Sequence, residues 1–119
     1  MNPQNKIKVG IIGGSGYAGE ELVRLVSLHA NAELYAVSSR DLCGRTLKSV
    51  YDQIHDLSEI SFINPDDSIF LECEVIFLAT PHGFSMSVTE TFLDNGIKVI
   101  DLSADFRIMN PELWKDWYQ

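Results

Sequence analysis

A chain of 119 residues is one domain's worth of sequence, and 45% apolar with 22% charged residues marks a globular protein rather than a disordered or fibrous one. Its 17 acidic residues against 9 basic ones leave a formal net charge of −8, which argues against a broad nucleic-acid or anionic-membrane surface. Any anionic ligand must therefore be held by local groups, such as a helix N-terminus or a single arginine.

In chain order, Ile7-Lys8-Val9-Gly10-Ile11-Ile12 is apolar and β-branched, as suits a strand buried on both faces. Behind a glycine-rich stretch, Leu22, Leu25, Val26 and Leu28 recur with helical period, with Glu20 and Glu21 in the first turn and Asn31 as a stop. Residues 34–37 read as a second strand. Residues 46–54 suit a short helix with Leu47, Val50 and Ile54 on one face. Residues 60–63 read as a third, exposed strand ended by Asn64-Pro65, and residues 75–79 carry the strongest strand pattern in the chain. Phe84, Val88 and Phe92 predict a helix closed by Gly96. Residues 98–102 form a fifth strand, and Asn110-Pro111-Glu112 opens a last helix through Trp117. Strands alternating with helices predict an α/β fold, a doubly wound, Rossmann-like parallel sheet with helices on both faces. No apolar run reaches membrane-spanning length, and the first residues lack the features of a signal peptide. Cys43 and Cys73 have no metal-ligand spacing and fit a reducing compartment, so the expected location is cytoplasmic, with no metal site and no nucleic-acid or membrane partner.

Four glycines in the seven residues Gly13-Gly14-Ser15-Gly16-Tyr17-Ala18-Gly19 would destabilise any regular element. Gly14, Gly16 and Gly19 have the dinucleotide spacing G-x-G-x-x-G, and Gly13, Gly16 and Gly19 the looser G-x-x-G-x-x-G. Between a buried strand and an amphipathic helix, such glycines allow a tight turn, close approach of a pyrophosphate, and close helix–strand packing. Two rivals fail on residues. A P-loop needs Lys and Ser or Thr after its last glycine, where Glu20 and Glu21 stand. A nucleophile elbow needs a glycine two positions after Ser15, where Tyr17 stands.

NAD sites place an acidic residue about 20 positions beyond the glycines, on the ribose hydroxyls. Here Ser38-Ser39-Arg40 occupies that place. A carboxylate would repel a 2′-phosphate, whereas hydroxyls and a guanidinium would bind it, so the expected cofactor is NADP. Asp41 stands next in line, and a shift of one residue would bring it to the ribose.

Taken together, these pieces resemble the N-acetyl-gamma-glutamyl-phosphate reductase family. The resemblance is carried by Gly13 to Leu22 (GGSGYAGEEL), Ser38-Ser39-Arg40, Ala79-Thr80-Pro81-His82-Gly83 with Ser85, and Val99 to Arg107 (VIDLSADFR), in the family's order. It implies an NADP-dependent reductase of arginine biosynthesis that converts an acyl phosphate to a semialdehyde through a cysteine thioester. It further implies a two-domain subunit in a homo-oligomer, with residues 1–119 as the N-terminal NADP-binding domain. The family's nucleophilic cysteine lies in a Gly-Cys motif downstream of VIDLSADFR and its acid/base histidine later still, so no catalytic residue is expected among these 119. Cys43 follows the ribose-phosphate loop, and Cys73 begins a strand instead of ending it at the ligand side. Pro81, His82 and Gly83 leave the fourth strand toward the ligand crevice and are expected to face the nicotinamide half of the cofactor, with Ser85 as a helix cap. Ser103 and Arg107 follow the fifth strand on the same side as expected substrate contacts, and an ion pair of Arg107 with Asp101 or Asp105 is an equal reading. A lysine-pathway or aspartate-semialdehyde-type acyl-phosphate reductase shares much of this pattern. A stand-alone nucleotide-binding module would need no nucleophile at all.

Overall fold

In the computed structural model, which describes residues 6–14, 16–51, 60–79 and 86–102, strands and helices alternate. They are β1 (Ile7–Ile12), α1 (Tyr17–Leu28), β2 (Ala32–Ser38), α2 (Leu47–Val50), β3 (Phe62–Ile63), a 3-10 helix (Ser68–Glu72), β4 (Val75–Leu78), α3 (Met86–Asp94) and β5 (Lys98–Asp101). The strands form one sheet in the order β3-β2-β1-β4-β5, and every pairing is parallel. The chain builds outward from β1 in one direction, then returns to β1's other edge and builds the opposite way. That reversal, between β1 and β4, is the topological switch point of a doubly wound sheet.

Both faces of the sheet are covered, which is why β1 is apolar and buried without a break from Val9 to Ile12. Val9 and Ile11 pack with Val23 and Val26 of α1, Leu34 and Val37 of β2, and Leu47, Tyr51 and Phe62. Ile12 joins Ala36, Phe70, Cys73, Ile76, Leu78, Phe92 and Ile97 on the other face. Val9 pairs with Leu34 but Gly10 with Ala36, so β2 carries one extra residue, Tyr35, at that point. This bulge turns Leu34 and Val37 to the same face although they stand three positions apart.

The fifth strand and the α3 terminus follow the sequence expectation. Gly96 has φ +76°, the Gly96 N–H donates to the Leu93 carbonyl at 3.0 Å, and the Ile97 N–H donates to the Phe92 carbonyl at 3.0 Å. With Phe92 and Ile97 both buried in one cluster, this is a Schellman ending complete with its apolar contact.

Other expectations are corrected. The buried face of α1 is Gly19, Val23 and Val26, while Leu25 and Leu28 are 54% and 73% exposed. The rotation of this helix is set by its contact at Gly19, described below, and not by the widest row of leucines. Strand β3 is only two residues long, and Phe62 is 1% exposed, because α2 and Tyr51 cover it. Helix α2 is a single turn, and Ile54 lies outside the described residues, as do Phe84 and the expected last helix. Among the described residues, no helix is long and apolar enough to cross a membrane.

Candidate functional site

The glycine loop leaves the carboxyl end of β1 at the switch point. Its neighbours on that edge are held in line: the Ala79 N–H donates to the Ile12 carbonyl at 2.8 Å, and the Leu102 N–H to the Leu78 carbonyl at 2.8 Å. Segments leaving β1, β4 and β5 therefore start from one edge, where open parallel sheets bind ligands.

Each glycine of the loop does something different. Gly13 has φ +91°, a left-handed conformation that makes the turn out of the strand. At Gly14 an added Cβ would overlap the Val37 Cγ1, so the loop lies directly on β2. At Gly19 an added Cβ would meet Gly14 Cα at 2.6 Å and Gly14 C at 2.8 Å, so α1 rests on the loop's own backbone. Gly16 differs from these. It has extended backbone, φ −88° and ψ −179°, and among the described residues a Cβ there would meet nothing within 4 Å. The spacing that fits these roles is Gly13, Gly16 and Gly19, with Gly14 as an additional packing position. Nothing among the described residues excludes a side chain at Gly16, and the space beside it leaves room for a ligand to approach.

Gly16 is also the N-cap of α1, and having no side chain it makes no side-chain cap hydrogen bond. Two other helix starts are capped by side chains: the Ser49 N–H donates to Thr46 Oγ1 at 3.2 Å, and the Ile69 N–H to Asp67 Oδ1 at 3.0 Å. A helix leaves its first N–H groups without intrahelical partners, and within α1 the first N–H to find one is Glu20's, which donates to the Gly16 carbonyl at 2.9 Å. Uncapped donors and the positive end of the helix dipole together make a site for a phosphate group. In a chain of net charge −8, this is local attraction of the kind an anion would need.

The loop is braced from below. The Gly13 N–H donates to Ser38 Oγ at 3.0 Å and the Gly14 N–H to the Ser38 carbonyl at 2.8 Å, while the Tyr51 hydroxyl donates to the Gly14 carbonyl. Burial pushes the Tyr51 phenol up to about 12, with the nearby Glu20 carboxylate adding to the effect, so it keeps its proton and remains a donor. Tyr51 carried no sequence signal of function, because its position depends on β3 and α2 arriving beneath the loop.

The Ser38-Ser39-Arg40 set divides. Ser38 is 1% exposed and its Oγ accepts from Gly13; Ser39 is 4% exposed and its Oγ accepts from the Leu42 N–H at 3.2 Å. Both hydroxyl oxygens hold backbone in place by accepting from N–H groups. Arg40 is exposed, with no hydrogen bond or ion pair among the described residues, and is the member of the three free to meet an anion. Tyr17 and Ala18, the first residues of α1, are exposed beside Gly16. Ser15, Pro81, His82, Gly83, Ser103 and Arg107 lie outside the described residues.

The two cysteines differ in their surroundings. Cys43 is exposed in the loop after β2. Cys73 is buried before β4, against the space left by Gly10, where an added Cβ would lie 2.9 Å from its Sγ. Burial pushes its thiol up to about 11, which suppresses the nucleophilic thiolate.

Residues 8–117 match the family described as semialdehyde dehydrogenase, NAD binding domain. The N-acetyl-gamma-glutamyl-phosphate reductase of Ruthia magnifica is 48% identical over 112 residues, covering 94% of this chain and 33% of the relative. The enzyme of that name from Marinobacter nauticus is 40% identical, covering 94% of this chain and 32% of the relative. The chain thus spans about a third of the length of these relatives. A crystal structure of aspartate semialdehyde dehydrogenase with NADP from Candida albicans superposes with a TM-score of 0.62 at 22% identity, over 86% of this chain and 31% of that one, a likeness of fold.

Proposed function

The chain belongs to the semialdehyde dehydrogenase NAD-binding family, and from that premise we propose that it is the NADP(H)-binding domain of a reductase acting on N-acetyl-gamma-glutamyl phosphate. The product of that reaction is N-acetylglutamate semialdehyde, on the route to arginine. The observation that carries the cofactor half is the uncapped start of α1 behind an unobstructed Gly16. The substrate half rests on relatives of that name at 40–48% identity across 94% of the chain.

The residues fit a dinucleotide. The N–H groups at the start of α1 hold its diphosphate, Gly16 gives it room, and Arg40 pairs with the 2′-phosphate that distinguishes NADP from NAD. When bound, the nicotinamide supplies the hydride for reduction of the acyl group. Pro81, His82 and Gly83 shape the nicotinamide end, and Ser103 and Arg107 hold the acyl phosphate. The thioester cysteine of this chemistry is neither Cys43 nor Cys73, so these residues bind and orient while the nucleophile comes from elsewhere in the protein. The resemblance also supports a homo-oligomeric whole protein in the cytoplasm.

The test is complementation. The gene for the whole protein that carries this domain is expected to restore growth without arginine to a strain lacking the reductase. Rescue of a strain blocked in another semialdehyde-forming step, with no rescue of the arginine auxotroph, would move the substrate to a related acyl phosphate.

A further inference from the structure

We propose that Tyr51 is a positioning residue for cofactor binding: its hydroxyl holds the Gly14 carbonyl on the underside of the glycine loop and so keeps the loop in its phosphate-accepting form. The proposal rests on the reading of residues 13–19 as a dinucleotide loop.

Tyr51 sits 37 positions from Gly14 in sequence, yet its ring is fixed from several directions. Its N–H donates to the Leu47 carbonyl at 2.8 Å, ending α2. Its ring meets the Phe62 ring edge to face, with centroids 5.8 Å apart and planes at 76°. Phe62 itself reaches under the loop, its Cε1 lying 3.4 Å from where a Gly14 Cβ would be. The hydroxyl is thus delivered to Gly14 by a ring that cannot readily turn away, in a residue only 7% exposed.

A trans peptide points its carbonyl and its N–H in opposite directions. Holding the Gly14 carbonyl from below therefore fixes the tilt of the peptide plane that leaves Gly14. The neighbouring donors are already committed: the Gly13 and Gly14 N–H groups both go to Ser38. Ser38 and Tyr51 grip successive peptides of the loop, one through its donors and the other through its acceptor. Glycine-rich backbone has many alternative conformations, and without the phenol the Gly14 carbonyl would need another donor. A loop that is competent for only part of the time binds more weakly in proportion.

Tyr51→Phe deletes one oxygen and keeps the ring. In this chain it is expected to raise the Kd for NADPH about fivefold to tenfold, the loss of one neutral hydrogen bond, while leaving Tm within a few degrees of the parent. Without cofactor, the Gly13 and Gly14 amides should exchange faster in the variant while the β1 amides do not change. Phe92→Leu, on the other face of the sheet, should lower Tm more and leave the Kd unaltered, which separates positioning from general stability. A Tyr51→Phe variant with the parental Kd would overturn the proposal, as would an equal loss of affinity in Phe92→Leu. If the parent itself fails to bind NADPH, the underlying reading of the loop falls and the proposal with it. One measurement does not depend on a variant folding: in the unaltered protein the Tyr51 hydroxyl proton should exchange slowly with and without NADPH. A freely exchanging hydroxyl would contradict the proposed grip.

Discussion

Gly16 and Gly19 stand one turn apart in the same motif, yet substituting them should produce opposite failures. At Gly16 the backbone is extended, φ −88°, and a Cβ meets no atom of the described residues within 4 Å, so a side chain can begin there without displacing their backbone. The fold should lose only the difference between glycine and an aliphatic residue at an N-cap, about 1 kcal/mol. The valine methyls would instead fill the space through which a diphosphate approaches the α1 donors, and binding should be abolished. At Gly19 even alanine must displace backbone, since its Cβ would lie 2.6 Å from Gly14 Cα. Relieving that overlap means lifting α1 off the loop, an overpacking cost of about 1–3 kcal/mol. For a domain of 119 residues, that corresponds to a fall in Tm of about 4–12 °C. Thermal melts and calorimetric titration with NADPH, run on both variants, give the two readouts. Gly16→Val should melt near the parent and bind nothing. Gly19→Ala should melt well below it. Parental affinity in a folded Gly16→Val protein would place the ligand elsewhere, and an undiminished Tm in Gly19→Ala would refute the close packing of α1 on the loop.

Arg40→Ala should weaken NADPH by about 1.5–3 kcal/mol, the range of a charge-assisted contact, and leave NADH unaffected. Equal losses for both cofactors would remove Arg40 from the 2′-phosphate. Ser38→Ala leaves the Gly13 N–H without its partner in a part-buried position and should lower stability in urea by about 1–3 kcal/mol. Stability equal to the parent would show that the hydroxyl does not hold the loop. Iodoacetamide at neutral pH should add a single label, on the exposed Cys43, because the buried Cys73 thiol is raised to about 11. The same shift sets a pH dependence: the unfolded thiol ionises near pH 8.5, so Cys73's contribution is fully present below that pH and is lost as pH rises toward 11. Rapid labelling of Cys73 in the folded protein would contradict both.

Much of the architecture was legible because it depends on local pattern. Buried strands such as residues 75–78 are short apolar runs, the helix stop at Gly96 requires a left-handed residue, and the glycine stretch lies between strand and helix as a dinucleotide loop must. The misreadings arise where a tertiary contact decides. Leu25 and Leu28 continue an apolar row, but α1 is turned by the contact of Gly19 with Gly14, a position with no side chain to weigh. Phe62 lies in a strand of two residues at the sheet's edge, which suggested exposure until α2 and Tyr51 closed over it. The spacing of Ser38 and Ser39 also gives no sign that their hydroxyl oxygens accept from backbone N–H groups. Hydroxyl direction depends on which donors the fold brings near, and sequence spacing does not carry that. Tyr51 is the same problem in reverse: a residue without motif becomes part of the site because its ring is packed beneath it.

The most direct measurement is a pair of calorimetric titrations of this chain, with NADPH and with NADH, in one buffer at one ionic strength. An uncapped helix start with Arg40 in place of a ribose-reading carboxylate should bind NADPH, and bind it more tightly than NADH. Equal affinity for the two, a preference for NADH, or no heat with either would contradict the assignment of this edge of the sheet to NADP(H).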